Sequence, residues 1–203
     1  MPQSNTISNG KSTINKPKFS VYDIAIVGVM AAIIFAITYF IKIPITLPSG
    51  DASMIKLANA FVLLAGMLFG GVKGGLAAGI GSFIFDLLDP RFVASAPFTL
   101  VFFFTMAFVC GSISYGFGHK GNSLKWNIIG ALAGSFAYQI LYLSKKIILL
   151  ILSGSDAGAA FASIVPTFAV SAINIPIAVI LATVLAPVIK TALKKAGLYK
   201  HIS

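Results

Sequence analysis

Glutamate is absent from this chain, and its acids are five aspartates. Paired carboxylates for hydrolysis would have to be Asp86 and Asp89, which flank a helix end beside Pro90. A helix-terminal and loop role is the simpler reading of that pair. Cysteine and histidine number only one and two, too few for a Cys/His metal site. Cys110 lies inside an apolar run and permits no internal disulfide. His119 sits beside lysines and reads as a solvated loop histidine. No HExxH, GxSxG or P-loop pattern occurs. These absences argue against an enzyme and against a resident cofactor. No basic stripe alternates with aromatics, so the net charge of +10 does not point to nucleic acid.

What is present is hydrophobic sequence. Apolar residues make up 58% of the chain and charged ones 10%, a composition for a lipid bilayer. The apolar runs are continuous rather than alternating, which predicts helices and not a β-barrel. The organising stretch is Lys56–Pro90, KLANAFVLLAGMLFGGVKGGLAAGIGSFIFDLLDP. Two apolar runs flank a glycine turn over Gly70–Gly75, and Gly75, Gly79 and Gly81 follow on the second run. Glycine in a soluble helix costs about 1 kcal/mol against alanine, whereas in lipid small residues let backbones approach closely. The stretch therefore predicts a tightly packed membrane hairpin.

In chain order the pattern predicts an all-α bundle of six spans. Span one runs over Val21–Ile43, with Gly28, Ala32 and Ala36 every four residues along one face. That face could dock another helix or pack inside the bundle. The loop Pro44–Met54 carries turn chemistry. Span two covers Leu57–Phe69, span three Gly74–Leu88 and span four Ala96–Tyr115. Span five starts at the interfacial Trp126 and reaches Lys145–Lys146, with Ile147–Ser153 either prolonging it or folding into an outer loop. Span six covers Ala159–Ile189 and contains Pro166, Pro176 and Pro187, which predict a kinked or locally irregular helix. The division is a polar N-terminal tail over 1–20, a membrane domain over 21–190 and a basic tail over 191–203. The first polar stretch shows no convincing cleavage pattern and is expected to be a cytoplasmic tail.

With the N-terminus inside, lysines concentrate in the inner segments: Lys11, Lys16, Lys18, Lys73, Lys120, Lys125, Lys190, Lys194, Lys195 and Lys200. The outer segments hold Lys42, Lys56, Arg91, Lys145 and Lys146 together with Asp51, Asp86, Asp89 and Asp156. The positive-inside rule favours this orientation.

Two polar stripes mark a cavity. Ser135, Tyr138, Gln139, Tyr142 and Lys146 share one face of span five, and Ser163, Thr167, Ser171 and Asn174 one face of span six. Lipid penalises such faces, so they should point inward. Serine and threonine can instead bond backbone carbonyls of their own helix, and Ser135 and Ser163 are read that way. At 1.5 Å per residue from Trp126, Tyr138 lies about 18 Å along the helix and Lys146 about 30 Å, which places the cavity in the outer half. Tyrosine offers a stacking face and amides offer donors and acceptors, a set suited to a planar polar molecule. Asp86 either joins this cavity or faces water at the span end. No intramembrane proton relay or clear inverted repeat is visible, which counts against an ion-coupled carrier. A self-sufficient secondary carrier of a small polar molecule remains the alternative to a capture subunit, with a scaffold a further one.

The chain resembles the S components of energy-coupling factor (ECF) transporters, the vitamin-binding membrane subunits. The likeness covers about Val21 to Leu198. It is carried by the size, the spans, the block LLAGMLFGGVKGGLAAGIGSFIFDLL, the APFTL segment at Ala96–Leu100 and the small-residue face at Ala32 and Ala36. The resemblance implies capture of a vitamin or precursor from outside, followed by delivery with a transmembrane coupling subunit and two cytosolic ATPases. It implies a multi-pass protein of the plasma membrane, bacterial in setting, with Gly28, Ala32 and Ala36 docking on the coupling subunit. By the same analogy Pro44–Met54 would form a lid. Asp86, Arg91, Tyr138, Gln139, Tyr142, Lys146, Thr167, Ser171 and Asn174 would be substrate-binding candidates.

Overall fold

The computed structural model of the chain describes residues 20–46 and 52–197. The expected N-terminal tail, the middle of the expected lid at 47–51 and residues 198–203 lie outside the described residues.

Helix α1 (Val21–Phe40) opens on a capping box: the Ser20 amide donates to Asp23 Oδ2 at 3.1 Å, and the Ser20 hydroxyl accepts from the Tyr22 amide. Its buried face is Val27, Met30, Ala31, Ile34 and Thr38. Gly28 and Ala32 are exposed and Ala36 is half-buried, so the small-residue face points away from the bundle. The helix ends three residues before the expected Ile43, because the chain enters a strand at Lys42.

Strands β1 (Lys42–Thr46) and β2 (Ala52–Lys56) form an antiparallel hairpin, from Lys42 opposite Lys56 to Thr46 opposite Ala52. Sequence reading expects only turn chemistry here. Isoleucine and threonine favour extended backbone, and Pro44 is tolerated because a two-stranded ribbon has only edge strands. Apart from this hairpin and short 3-10 turns the fold is all-helical, with five helices long and apolar enough to cross a membrane.

Helix α2 (Ala58–Leu88) is the centre of the molecule. Ala60, Val62, Leu63, Ala65 and Met67 are wholly buried, as befits a helix apolar on all sides. Its only non-helical residue is Gly70, at φ 78° and ψ 178°. The predicted turn over Gly70–Gly75 thus contracts to one residue, in a conformation that side chains disfavour. The following glycines serve packing instead. A Cβ at Gly74 would lie 2.6 Å from the Ala65 carbonyl oxygen and 2.7 Å from Gly66 Cα. A straight helix would hold Ala65 and Gly74 roughly 13 Å apart, so the chain folds back on itself at Gly70.

Helix α3 (Ala96–Tyr115) runs beside both halves of α2, with Cys110 Sγ 3.6 Å from the Leu63 oxygen and the Tyr115 hydroxyl donating to the Leu68 oxygen. Helix α4 (Leu124–Leu152) includes Ile147–Leu152, which settles that segment as a prolongation of the helix. Helix α5 (Ala157–Lys195) begins at the cap Asp156, whose carboxylate accepts from the Gly158 amide at 2.8 Å. It passes through Pro166, Pro176 and Pro187 as one helix. In apolar surroundings neighbouring helices and hydroxyl side chains re-satisfy the backbone groups that proline frees. Ser171, Thr183 and Thr191 donate to the carbonyls of Thr167, Val179 and Pro187, one turn back along the same helix, which are not the carbonyls that the prolines leave free.

Polar groups gather at the two ends of the bundle. At one end Lys73, just past the Gly70 bend, pairs with Asp23 at 2.6 Å. There too Lys190 reaches the Lys120 carbonyl at 2.6 Å, and His119 stacks on Trp126 with ring centroids 5.6 Å apart rather than standing free in water. The other end holds the hairpin and the remaining cluster.

Candidate ligand-binding site

Between the hairpin and the ends of α2 to α5 lies a cavity of about 420 Å³, the size range of small-molecule pockets. Its walls follow from the periodicity of the sequence. The residues Tyr138, Gln139, Tyr142 and Lys146 come from one face of α4, and Thr167, Ser171 and Asn174 from one face of α5. Asp86 and Arg91 complete it from the end of α2 and the turn beyond. The structure therefore brings every predicted substrate-binding candidate to one cavity, but it gives them different work.

Tyr138 and Tyr142 form a stacked pair, centroids 5.9 Å apart and planes at 10°, with Phe103 4.8 Å from Tyr138. The three rings give the cavity an aromatic wall. Asp86 is buried rather than facing water; one of its oxygens accepts from the Thr99 hydroxyl and the other has no partner. Gln139 Nε2, Ser135 Oγ and Asn59 Oδ1 are likewise buried without partners, and all line the cavity. Ser135 is thus not spent on its own helix, contrary to the sequence reading.

Other candidates are engaged with the protein. Lys146 Nζ donates to the Ser163 carbonyl at 3.1 Å and to Thr167 Oγ1 at 2.9 Å, tying α4 to α5. The Ser171 hydroxyl donates to the Thr167 carbonyl. Arg91 is exposed, and its guanidinium grips Asp89 through Nε at 2.9 Å and Nη2 at 2.7 Å. Lys42, from β1, meets the same carboxylate at 3.0 Å. The Arg91 guanidinium, helped by Lys42, holds the Asp89 carboxyl well below the usual carboxylate range, so it is ionised at neutral pH. Asp89 thereby clasps the foot of the hairpin to the end of α2.

Asn174 holds the other foot. Its Oδ1 accepts from the Lys56 amide at 3.2 Å and its Nδ2 donates to the Met54 carbonyl at 3.1 Å. Sequence reading expects a direct ligand contact here; the structure assigns both ends of the amide to β2. Asn174→Leu should therefore leave two backbone groups of β2 without partners, at about 1–3 kcal/mol for each one that stays buried. The expected result is faster hydrogen exchange at the Lys56 amide, with ligand affinity falling as a consequence. Unchanged exchange in the variant would remove Asn174 from this role.

Sequence reading misses Lys56, Asn59, Thr99, Phe102 and Phe103, all of which line the cavity, as does Lys145, whose pairing with Lys146 hints in the sequence at an anionic or carbonyl-bearing ligand or at interfacial anchoring. A signal existed for Asn59: an amide one residue into a run otherwise apolar as far as Phe69. For Lys56 there was none, because its neighbours become neighbours only through the hairpin. Its ammonium lies 5.3–5.8 Å from the ring centroids of Phe85, Phe92 and Phe103. Burial pulls the Lys56 pKa down, and the Asp86 carboxylate partly opposes that.

Comparison with known proteins gives the family. A model of the family "ECF-type riboflavin transporter, S component" matches residues 18–195. A UPF0397 protein of Lactiplantibacillus plantarum is 32% identical over 111 residues, which cover 55% of this chain and 53% of that protein. An uncharacterized protein in the gap 3′ region of Pyrococcus woesei is 29% identical over 101 residues, 50% of this chain and 65% of that one. The chain thus spans about half to two thirds of the length of these curated relatives. The matched family is one of transporter subunits, not of enzymes, and its model runs from just before α1 to the end of α5. With a multi-pass helical bundle, a polar cavity at one end and that match over most of its length, the chain belongs to the ECF-type riboflavin transporter S component family.

Proposed function

We propose that the protein is the substrate-capture subunit of an ECF-type, ATP-driven importer in a bacterial plasma membrane. It takes a vitamin or related planar micronutrient from outside and passes it inward with a transmembrane coupling subunit and two cytosolic ATPases. In this reading the two halves of α2 cross the membrane separately, giving six crossings with both termini inside. The lysine distribution supports that orientation, since the cavity then opens outward and Lys73, Lys120 and Lys190 lie inside.

The observation that carries the reading is one cavity beside stacked tyrosines whose lining residues include Asn59, Asp86, Ser135 and Gln139, each with a buried polar atom that has no partner. Buried polar groups are normally satisfied, and leaving them so costs stability that a bound ligand would return. The test is a thermal-shift screen of the purified protein against B vitamins, their precursors and nucleobase-like compounds. A true ligand should raise the unfolding midpoint, because binding only the folded state stabilises by about 2.7 kcal/mol at a hundredfold excess over Kd. A folded, ligand-free protein that no compound shifts would overturn the capture reading. Uptake by liposomes holding this chain alone would favour the self-sufficient carrier instead.

A further inference from the structure

We propose that the captured molecule is an acid, a planar heterocycle bearing a carboxylate or phosphate, and that Lys56 and Lys145 hold its anionic group. This rests on the reading of the cavity as the capture site. The argument is one of charge and of who already has a partner. Four cations line the cavity, Lys56, Arg91, Lys145 and Lys146, against a single lining carboxylate, Asp86. Asp89, just outside, is already shared between Lys42 and Arg91. Asp156 caps the head of α5. Lys146 is tied to Ser163 and Thr167.

That leaves Lys56 and Lys145. Among the described residues neither has an ion pair within 4 Å. Lys145 donates to the Ser95 hydroxyl at 2.8 Å and lies 4.5 Å from the Phe98 ring centroid. Lys56 is surrounded by three rings. Lys56, Lys145 and Asp86 all line the same cavity. Ring faces stabilise an ammonium only modestly, so a half-buried cation with no anion in contact gains from a counter-charge. A ligand anion does so, and charge-assisted hydrogen bonds to it are the strong kind. A cationic ligand would instead have to share Asp86 with both ammonium groups.

The neutral groups define the rest of the molecule. Asn59, Asp86 and Gln139 also line the cavity, and their side chains add oxygen acceptors and an amide donor to its wall, a set that suits a ring carrying both donors and acceptors. The Tyr138–Tyr142 pair calls for a flat ring.

The experiment measures affinity for matched neutral and acidic compounds: nicotinamide with nicotinate for the carboxylate arm, and pyridoxine and riboflavin with their 5′-phosphates for the phosphate arm. The same measurement is made on Lys56→Met and Lys145→Met. The wild-type protein should bind the acidic member of at least one pair roughly ten- to a hundredfold more tightly than its neutral partner. Each methionine variant should remove most of that preference while keeping the neutral partner's weaker affinity, which also reports that the variant is folded. Equal or better binding of the neutral members by the wild type overturns this proposal and leaves the capture reading standing. Binding of no member of any pair, with the broader vitamin screen also blank, overturns both.

Discussion

Gly74→Leu is expected to abolish stable folding in detergent. The substitution would drive a side chain into the Ala65 carbonyl and Gly66 Cα, which an added Cβ alone would already approach to 2.6 and 2.7 Å. The obstruction is backbone and not the tip of a flexible side chain, so it can be relieved only by separating the two halves of α2. Overpacking of an ordinary core site costs about 1–3 kcal/mol, and here the cost should exceed that range. Domains have only about 5–15 kcal/mol in hand. Helices α1, α3 and α5 all pack on α2, so its opening cannot stay local. The measurement is the thermal midpoint and the fraction of monodisperse protein after purification. A variant that purifies like the parent, with an unchanged midpoint, would show that the halves of α2 do not pack as described. Gly70→Val tests the bend separately, because its positive φ is strained for any side chain whatever the space around it.

Ala32→Trp is expected to eliminate assembly with the coupling subunit, and with it uptake, while ligand affinity stays within about twofold. Ala32 is exposed, and α1 contributes no residue to the cavity wall. An indole at that position therefore disturbs neither the core nor the site. It would hold a partner helix away from a surface whose small residues permit close approach, and close approach is what makes helices associate in lipid. Co-purification of the coupling module and a binding isotherm on the isolated subunit give the two readings. Lost affinity would mean that the face is structural. Intact assembly would place the docking surface elsewhere.

The polar stripes illustrate what a linear sequence can reveal. Tyr138, Gln139 and Tyr142 repeat at helical spacing, so their common face is visible in the residue order itself. Lipid then requires that face to turn inward, and the structure places it on the cavity. The role of each side chain is another matter. Asn174 lies on the predicted stripe, yet its amide belongs to Met54 and Lys56, more than a hundred residues away in the chain. Lys146 is on the stripe too, but it bonds across to α5. No periodicity encodes a partner on a different element.

Sequence by itself determined the solvent of this protein, the order of its apolar runs, the central place of Lys56–Pro90, and the faces that had to be hidden from lipid; the six expected spans appear as five long helices, since spans two and three join as α2. Those follow from transfer free energies and from the 3.6-residue repeat, which act locally along the chain. Tertiary structure alone decided that Gly70 makes the whole bend, that a β-hairpin covers the cavity, and that the small-residue face of α1 points outward. It also decided which polar atoms are left without partners. These depend on long-range packing, where the position of one backbone settles what another can reach.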